Sequence, residues 1–187
     1  MSVRCIDISS EPSRQYFPSK ANFQDAFEET AGSAFIVNIY LVRHGEAVSE
    51  RIDPARPLTR LGSEEVDRVS RRAAAKNVQV SAIFHSGILR AKQTAEILAQ
   101  HLRFTSEVRQ LSGLLPQDDP SIAKAELETA EQPIMLVGHL PHLNRLAALL
   151  VSGQVETEIV EFAPATMVCC ASDGSGWKIA WILAPQS

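Results

Sequence analysis

The segment Val42-Arg43-His44-Gly45-Glu46-Ala47 holds the residues best suited to do chemistry. It follows a run at 35–42 that is apolar and rich in β-branched residues, which predicts a buried strand. Arg43 offers a planar, permanently charged fork that fits phosphate oxygens, and His44 can act as a nucleophile or a general base. Gly45 allows a tight turn and a close approach of the backbone to a ligand. The pairing therefore indicates phosphoryl chemistry at the histidine.

Two later predicted strands, at 80–85 and 134–137, are followed by groups of the same kind. Ser86 and Arg90 follow the first strand, and His139 follows the second. If the strands are parallel, their carboxyl ends meet at one edge of the sheet. Two guanidinium groups and two imidazoles around one pocket would repel each other without an anion, so the cluster predicts a site for a dianion or trianion. Taken alone, Arg90 fits a helix surface and His139 a turn equally well.

Strand and helix signals alternate along the chain from residue 34 onward. The helix signals are Thr59 as a cap before Val66, Val69 and Ala73; then Ala91, Ala95, Leu98 and Leu102; then Asp119 before Pro120; then Leu143, Leu146, Ala147 and Leu150. A short strand is predicted near 105–110, and the runs 166–171 and 177–183 predict a terminal hairpin. The pattern predicts a three-layer α/β/α sandwich whose central sheet is mostly parallel but mixed.

Residues 1–33 differ from the rest of the chain. Serines and prolines predict an irregular first part, whereas Phe23 and Phe27 at helical spacing after Asn22 predict a short helix. We therefore predict an N-terminal extension over residues 1–33 and a catalytic domain over residues 34–187. The aromatic residues of the extension indicate that it docks on another surface.

Composition excludes several classes of protein. A net charge of -4, with no basic repeat and no zinc-knuckle spacing, argues against a nucleic-acid partner. No apolar run approaches membrane-spanning length, and the first residues lack the apolar core of a signal peptide, so we expect a cytoplasmic protein without a membrane partner. Cys5, Cys169 and Cys170 form no disulfide framework and are expected to be free thiols, the latter two on opposite faces of a strand.

Several blocks in order resemble the histidine phosphatase superfamily, which is phosphoglycerate mutase-like, and within it the SixA-type phosphohistidine phosphatases. The blocks are 42–47; 56–59 with Gly62; Ser86 with 89–96; Leu115 and Pro116 with Asp119; and 138–141. The resemblance covers roughly residues 36–184 and leaves the extension uncovered.

The resemblance implies the phosphoglycerate mutase-like fold and a phosphatase that works through a phosphohistidine enzyme intermediate. His44 would be the nucleophile, and Arg43, Arg90 and His139 would bind the phosphoryl oxygens and stabilise the transition state. We add four candidate substrate-binding residues, Glu46, Arg56, Ser86 and His85, and note that His142 also lies beside a site motif. No metal and no cofactor are expected.

One departure from the family pattern bears on the substrate. Many superfamily members carry a general acid just before the position of Pro116, where this chain has Gly113. General acid catalysis is often worth about 10²–10⁴-fold, and its loss harms alcohol leaving groups more than the imidazole of a labile P–N bond. The departure favours phosphohistidine as the substrate. Asp118, Asp119 or Glu46 could still supply the acid from nearby.

Short intervals between the blocks leave little room for a cap domain, so we expect an open site that suits a phosphohistidine-bearing protein. A small-molecule phosphomonoester phosphatase is the alternative enzyme, acting on a small phosphorylated substrate. A non-catalytic phosphate-binding interaction module is the alternative of a different class.

Overall fold

The computed structural model describes residues 37–172 and 174–185. Its elements are β1 (Val37–Arg43), α1 (Arg60–Ala75), β2 (Ala82–His85), α2 (Leu89–His101), β3 (Arg109–Gln110), α3 (Pro120–Glu128), β4 (Ile134–Gly138), α4 (His142–Ser152), β5 (Met167–Ser172) and β6 (Trp177–Leu183). The predictions for the extension, including its short helix and Cys5, lie outside the described residues. No helix of the described part is long and apolar enough to cross a bilayer.

The six strands form one mixed sheet in the order β3-β2-β4-β1-β5-β6. β1, β2, β3 and β4 run parallel to one another, whereas β5 is antiparallel to β1 and β6 is antiparallel to β5. Arg43 lies opposite Gly138, and His85 lies opposite Val137. The mostly parallel, mixed sheet is confirmed, and its register brings the carboxyl ends of β1, β2 and β4 level with each other.

The strands alternate their side chains between two buried clusters. In β1, Ile39 and Leu41 pack on the side covered by α3 and α4, whereas Tyr40 and Val42 pack on the side covered by α1 and α2. Cys169 and Cys170 likewise join opposite clusters, and both are buried free thiols. The predicted three-layer α/β/α sandwich is confirmed.

Two helices begin at the residues that the sequence indicates. Thr59 Oγ1 accepts a hydrogen bond of 2.9 Å from Gly62 N at the start of α1. Asp119 Oδ1 accepts one of 2.9 Å from Ser121 N, and Pro120 is the first residue of α3. The strand expected near 105–110 is only two residues long, because it pairs with only the last two residues of β2.

Candidate active site

Four side chains from three strand ends meet at the carboxyl edge of the sheet. Arg90 Nε lies 3.1 Å from His44 Nε2, and the rings of His44 and His139 are 4.8 Å apart between centroids. The ring of His139 is in turn hydrogen-bonded to Ser86, whose Oγ lies 2.6 Å from His139 Nε2. The structure thus brings Arg90, His44, His139 and Ser86 into one connected cluster.

Arg43, the last residue of β1, completes the cluster. Its Nη1 donates to the carbonyl oxygen of Phe162 at 2.6 Å, which fixes the direction of the guanidinium. Its Nε is buried and has no hydrogen-bond partner among the described residues. The charge of Arg43 reaches His44 and His139, and it lowers the pKa of both.

The ring of His44 is held in one tautomer by its own loop. His44 Nδ1 lies 2.7 Å from the carbonyl oxygen of Gly45, so Nδ1 carries the proton and donates it. Nε2 then keeps its lone pair and accepts from Arg90. Burial, followed by the charges of Arg90, Arg43 and Arg56, lowers the pKa of His44 to about 4, although the bond to Gly45 opposes the shift. At neutral pH Nε2 is therefore an unprotonated nitrogen among cations.

His139 is the most buried member of the cluster, with 1% of its surface exposed. Its burial, together with His44 and Arg90, lowers its pKa to about 3. Nε2 is engaged with Ser86, whereas Nδ1 is buried and has no hydrogen-bond partner among the described residues. A buried ring nitrogen without a partner is costly, so Nδ1 is suited to meet a ligand.

Backbone bonds hold the loop that carries His44. His44 N donates to Gly138 O at 3.2 Å, and Ala165 N donates to His44 O at 3.1 Å. Gly45 N donates to Thr94 Oγ1 at 3.2 Å, and Thr94 lies one helical turn after Arg90 in α2. Thr94 is not among the site residues predicted from the sequence; its position four residues after Arg90, on the same helical face, is the signal that indicates it.

Arg56 adds a third guanidinium near the cluster. Its Nε donates to Val48 O at 3.3 Å, and its backbone has a φ of 49°, in the left-handed region. The positive charge of Arg56 lowers the pKa of both His44 and Arg90. Arg56 therefore belongs to the electrostatic surroundings of the nucleophilic nitrogen.

The other candidates differ in their relation to the cluster. Ser86 belongs to it, whereas Glu46 accepts a bond of 2.9 Å from Thr59 Oγ1 and is exposed. His85 Nδ1 accepts from Gly87 N at 3.0 Å, so this ring bonds within its own loop. His142 is fully buried at the start of α4, and burial lowers the pKa of its ring.

The position of the expected general acid is closed to a side chain. Gly113 has a φ of 84°, and a Cβ there would lie 2.5 Å from Ile122 Cγ2. Asp118 Oδ2 accepts from Leu115 N at 2.9 Å, and Asp119 caps α3. With Glu46 bound to Thr59, each of the three carboxylates considered as a substitute already holds a donor of its own loop or helix.

Comparison with known proteins agrees with this geometry. The sequence model of the histidine phosphatase superfamily (branch 1) matches residues 39–115. The chain is similar to phosphohistidine phosphatase SixA of Escherichia coli (strain K12), with 27% identity over 154 residues, 80% of this chain and 94% of that protein. It is also similar to an uncharacterized protein of Picosynechococcus sp., with 34% identity over 63% of this chain and 75% of that protein.

A solved structure shares the fold. The protein histidine phosphatase SixA complexed with tungstate superposes with a TM-score of 0.72 and 25% identity, over 80% of this chain and 97% of that chain. The agreement extends over nearly the whole of the matched chain.

Proposed function

This chain belongs to the histidine phosphatase superfamily and is a phosphatase, and from that premise we propose that it hydrolyses phosphohistidine carried by a protein. Within the same proposal, residues 34–187 form the catalytic domain and residues 1–33 are an extension to it. His44 is the nucleophile, and Arg43, Arg90 and His139 hold the phosphoryl group.

The proposal rests on one observation: the site has a nucleophilic nitrogen at His44 but no acidic side chain at the expected position of the general acid. His44 presents a neutral Nε2 3.1 Å from Arg90 Nε, and a phosphoryl group that takes over this guanidinium frees the Nε2 lone pair to attack phosphorus. The expected acid position is Gly113, where a Cβ would lie 2.5 Å from Ile122 Cγ2, and each of the three candidate carboxylates accepts a hydrogen bond from the protein. Such a site supports transfer from a labile P–N bond better than from an alkyl ester, whose leaving oxygen needs a proton.

The proposed reaction has two displacements. His44 Nε2 attacks the phosphorus of a phosphohistidine whose ring is protonated on its other nitrogen, the P–N bond of the substrate breaks, and the bonding pair stays on a nitrogen of the neutral imidazole that leaves. A water molecule then attacks phospho-His44, the new P–N bond breaks, and inorganic phosphate leaves while the water proton passes to solvent. A loose phosphoryl-transfer transition state needs positioning and charge stabilisation, which the guanidinium groups of Arg43, Arg90 and Arg56 supply.

His139 is placed to respond to the negative charge of the phosphoryl group. Its Nδ1 is free to contact a phosphoryl oxygen, while Ser86 holds Nε2. A bound dianion raises the pKa of a neighbouring imidazole, so binding favours protonation of His139. The related SixA structure was solved with tungstate, a tetrahedral oxyanion like phosphate, which supports binding of such an anion by this chain.

A comparison of substrates tests the proposal. We expect the kcat/KM of the purified protein to be highest for a histidine-phosphorylated protein, lower for an activated aryl phosphate and lowest for a sugar phosphate. The physical reason is that a poor leaving group loses about 10²–10⁴-fold without an acid. Equal kcat/KM for the sugar phosphate and the phosphohistidine protein would indicate the small-molecule phosphatase instead. Stoichiometric phosphate binding without turnover of any substrate would indicate the non-catalytic module.

A further inference from the structure

We propose that a cleft of about 520 Å³ beside the phosphoryl site binds the polypeptide that flanks the phosphohistidine on the substrate protein. This inference rests on the proposed function and adds the place where the carrier protein is recognised. The cleft, here called the flanking cleft, is lined by His85, Gly87, Lys92, Glu96, Glu107 and Arg109, together with Val108 and Gln110.

The flanking cleft and the phosphoryl site lie on the two sides of one short loop. His85 and Gly87 line the cleft, whereas Ser86 between them bonds His139 in the phosphoryl site. Consecutive Cα atoms are about 3.8 Å apart, so the two sites are neighbours. The cleft is therefore within reach of the residues that flank a phosphohistidine bound at His44.

The wall between the two sites is built to stay in place. Gly87 N donates to His85 Nδ1 at 3.0 Å, which closes the loop on itself. Gly87 has a φ of 87°, a left-handed conformation that favours glycine at this turn. Because Nδ1 of His85 accepts, the proton of the neutral ring lies on Nε2, which is left to donate to a carbonyl oxygen of a bound peptide.

The charges of the flanking cleft suit a polar peptide. Lys92 and Glu96 stand one helical turn apart on α2 with 3.9 Å between Nζ and Oε1, and each side chain is about half exposed. Arg109 lies over the ring of Phe84, 4.9 Å from its centroid, and is exposed like Glu107. Two cations and two carboxylates balance in formal charge, so the cleft suits a polar peptide better than a second phosphate.

An exposed apolar residue precedes the cleft on α2. Leu89 opens α2 three residues before Lys92, on the same helical face, with 37% of its surface exposed. A peptide bound along this face of α2 therefore has one apolar contact next to the polar side chains of the cleft. Interfaces commonly combine an apolar anchor with a polar rim in this way.

Two blocking variants test the proposal in the full chain. Lys92→Trp and Glu107→Trp each place a large ring in the cleft but change the net charge in opposite directions. Arg71→Trp on α1 and Glu131→Trp before β4 are the matched controls, because these exposed residues lie outside the cleft. Each variant is assayed with a histidine-phosphorylated protein, with the free amino acid phosphohistidine and with an aryl phosphate.

We expect both blocking variants to lower kcat/KM for the phosphorylated protein by about tenfold, mainly through KM, as loss of a docking contact does. The two small substrates and both controls should stay within about twofold of the wild type, since the phosphoryl site is unchanged. Unchanged kcat/KM of the blocking variants for the phosphorylated protein would refute the role proposed for the cleft. An equal loss of kcat/KM with all three substrates would refute it as well. Wild-type protein that fails to hydrolyse phosphohistidine in either form would instead refute the proposed function on which the cleft rests.

Discussion

Replacing Gly62 with alanine should damage catalysis through the loop that carries His44. Gly62 lies in the first turn of α1, and its backbone packs directly on the segment after the nucleophile. A Cβ at Gly62 would lie 2.1 Å from Glu46 O and 2.7 Å from Glu46 N. Both contacts are backbone atoms, which cannot rotate away, so helix and loop must separate by about 1 Å to reach an ordinary contact.

The size of the effect follows from this displacement. A misplacement of about 1 Å in a reacting group costs about 10²-fold, so kcat for an aryl phosphate should fall by roughly that factor. The free energy of unfolding should change less than the activation free energy. Alanine gains about 0.5–1 kcal/mol over glycine in a helix, which offsets part of an overpacking cost of about 1–3 kcal/mol.

The assay pairs steady-state kinetics with urea unfolding of the same samples. Leu61→Ala is the matched control, since Leu61 lies in the same turn and is about half exposed. We expect the control to keep wild-type kcat and Gly62→Ala to remain folded with little turnover. A Gly62→Ala protein with kcat within about twofold of the wild type would refute the claim that this backbone contact positions His44.

Three further predictions concern the same cluster. The pKa of His139 is about 3, against about 6.5 in the unfolded chain, so the unfolded state binds more protons below pH 6.5 and stability falls as the pH drops. His139→Asn should therefore remove roughly 2 kcal/mol of the loss in unfolding free energy between pH 7 and pH 5, measured by urea titration, and an unchanged loss would contradict the shift. Turnover should survive chelators, and a loss that zinc or magnesium restores would contradict a metal-free site. Arg90→Ala should leave weak activity, about 10²–10³-fold below the wild type, and full activity would remove Arg90 from the phosphoryl site.

The sequence predicts those parts of the fold that local rules govern. The β-branched runs correspond to strands over 37–42 and 134–137, and Thr59 and Asp119 start helices because a side-chain oxygen meets a free backbone N–H there. Because the carboxyl ends of parallel strands meet at one edge of a sheet, the sequence also predicts that Arg43 and His139 lie at the same edge.

Other features depend on contacts between segments far apart in the chain. The bond from Arg43 to Phe162 O spans 119 residues and leaves no local pattern. The length of β3 depends on how much of β2 is left to pair, not on the residues near 105–110. Whether Asp118 and Asp119 are free to act as acids also depends on the folded loop, where each caps a backbone N–H.

Covalent labelling of the enzyme tests the central claim most directly. Wild-type protein is mixed with a substrate protein carrying radiolabelled phosphohistidine, quenched within the first turnover, and digested to locate the label. Our account predicts an alkali-stable, acid-labile label on the peptide that contains His44, and neither label nor turnover in His44→Ala. Full turnover by His44→Ala, or a label on another residue of the wild-type enzyme, would contradict it.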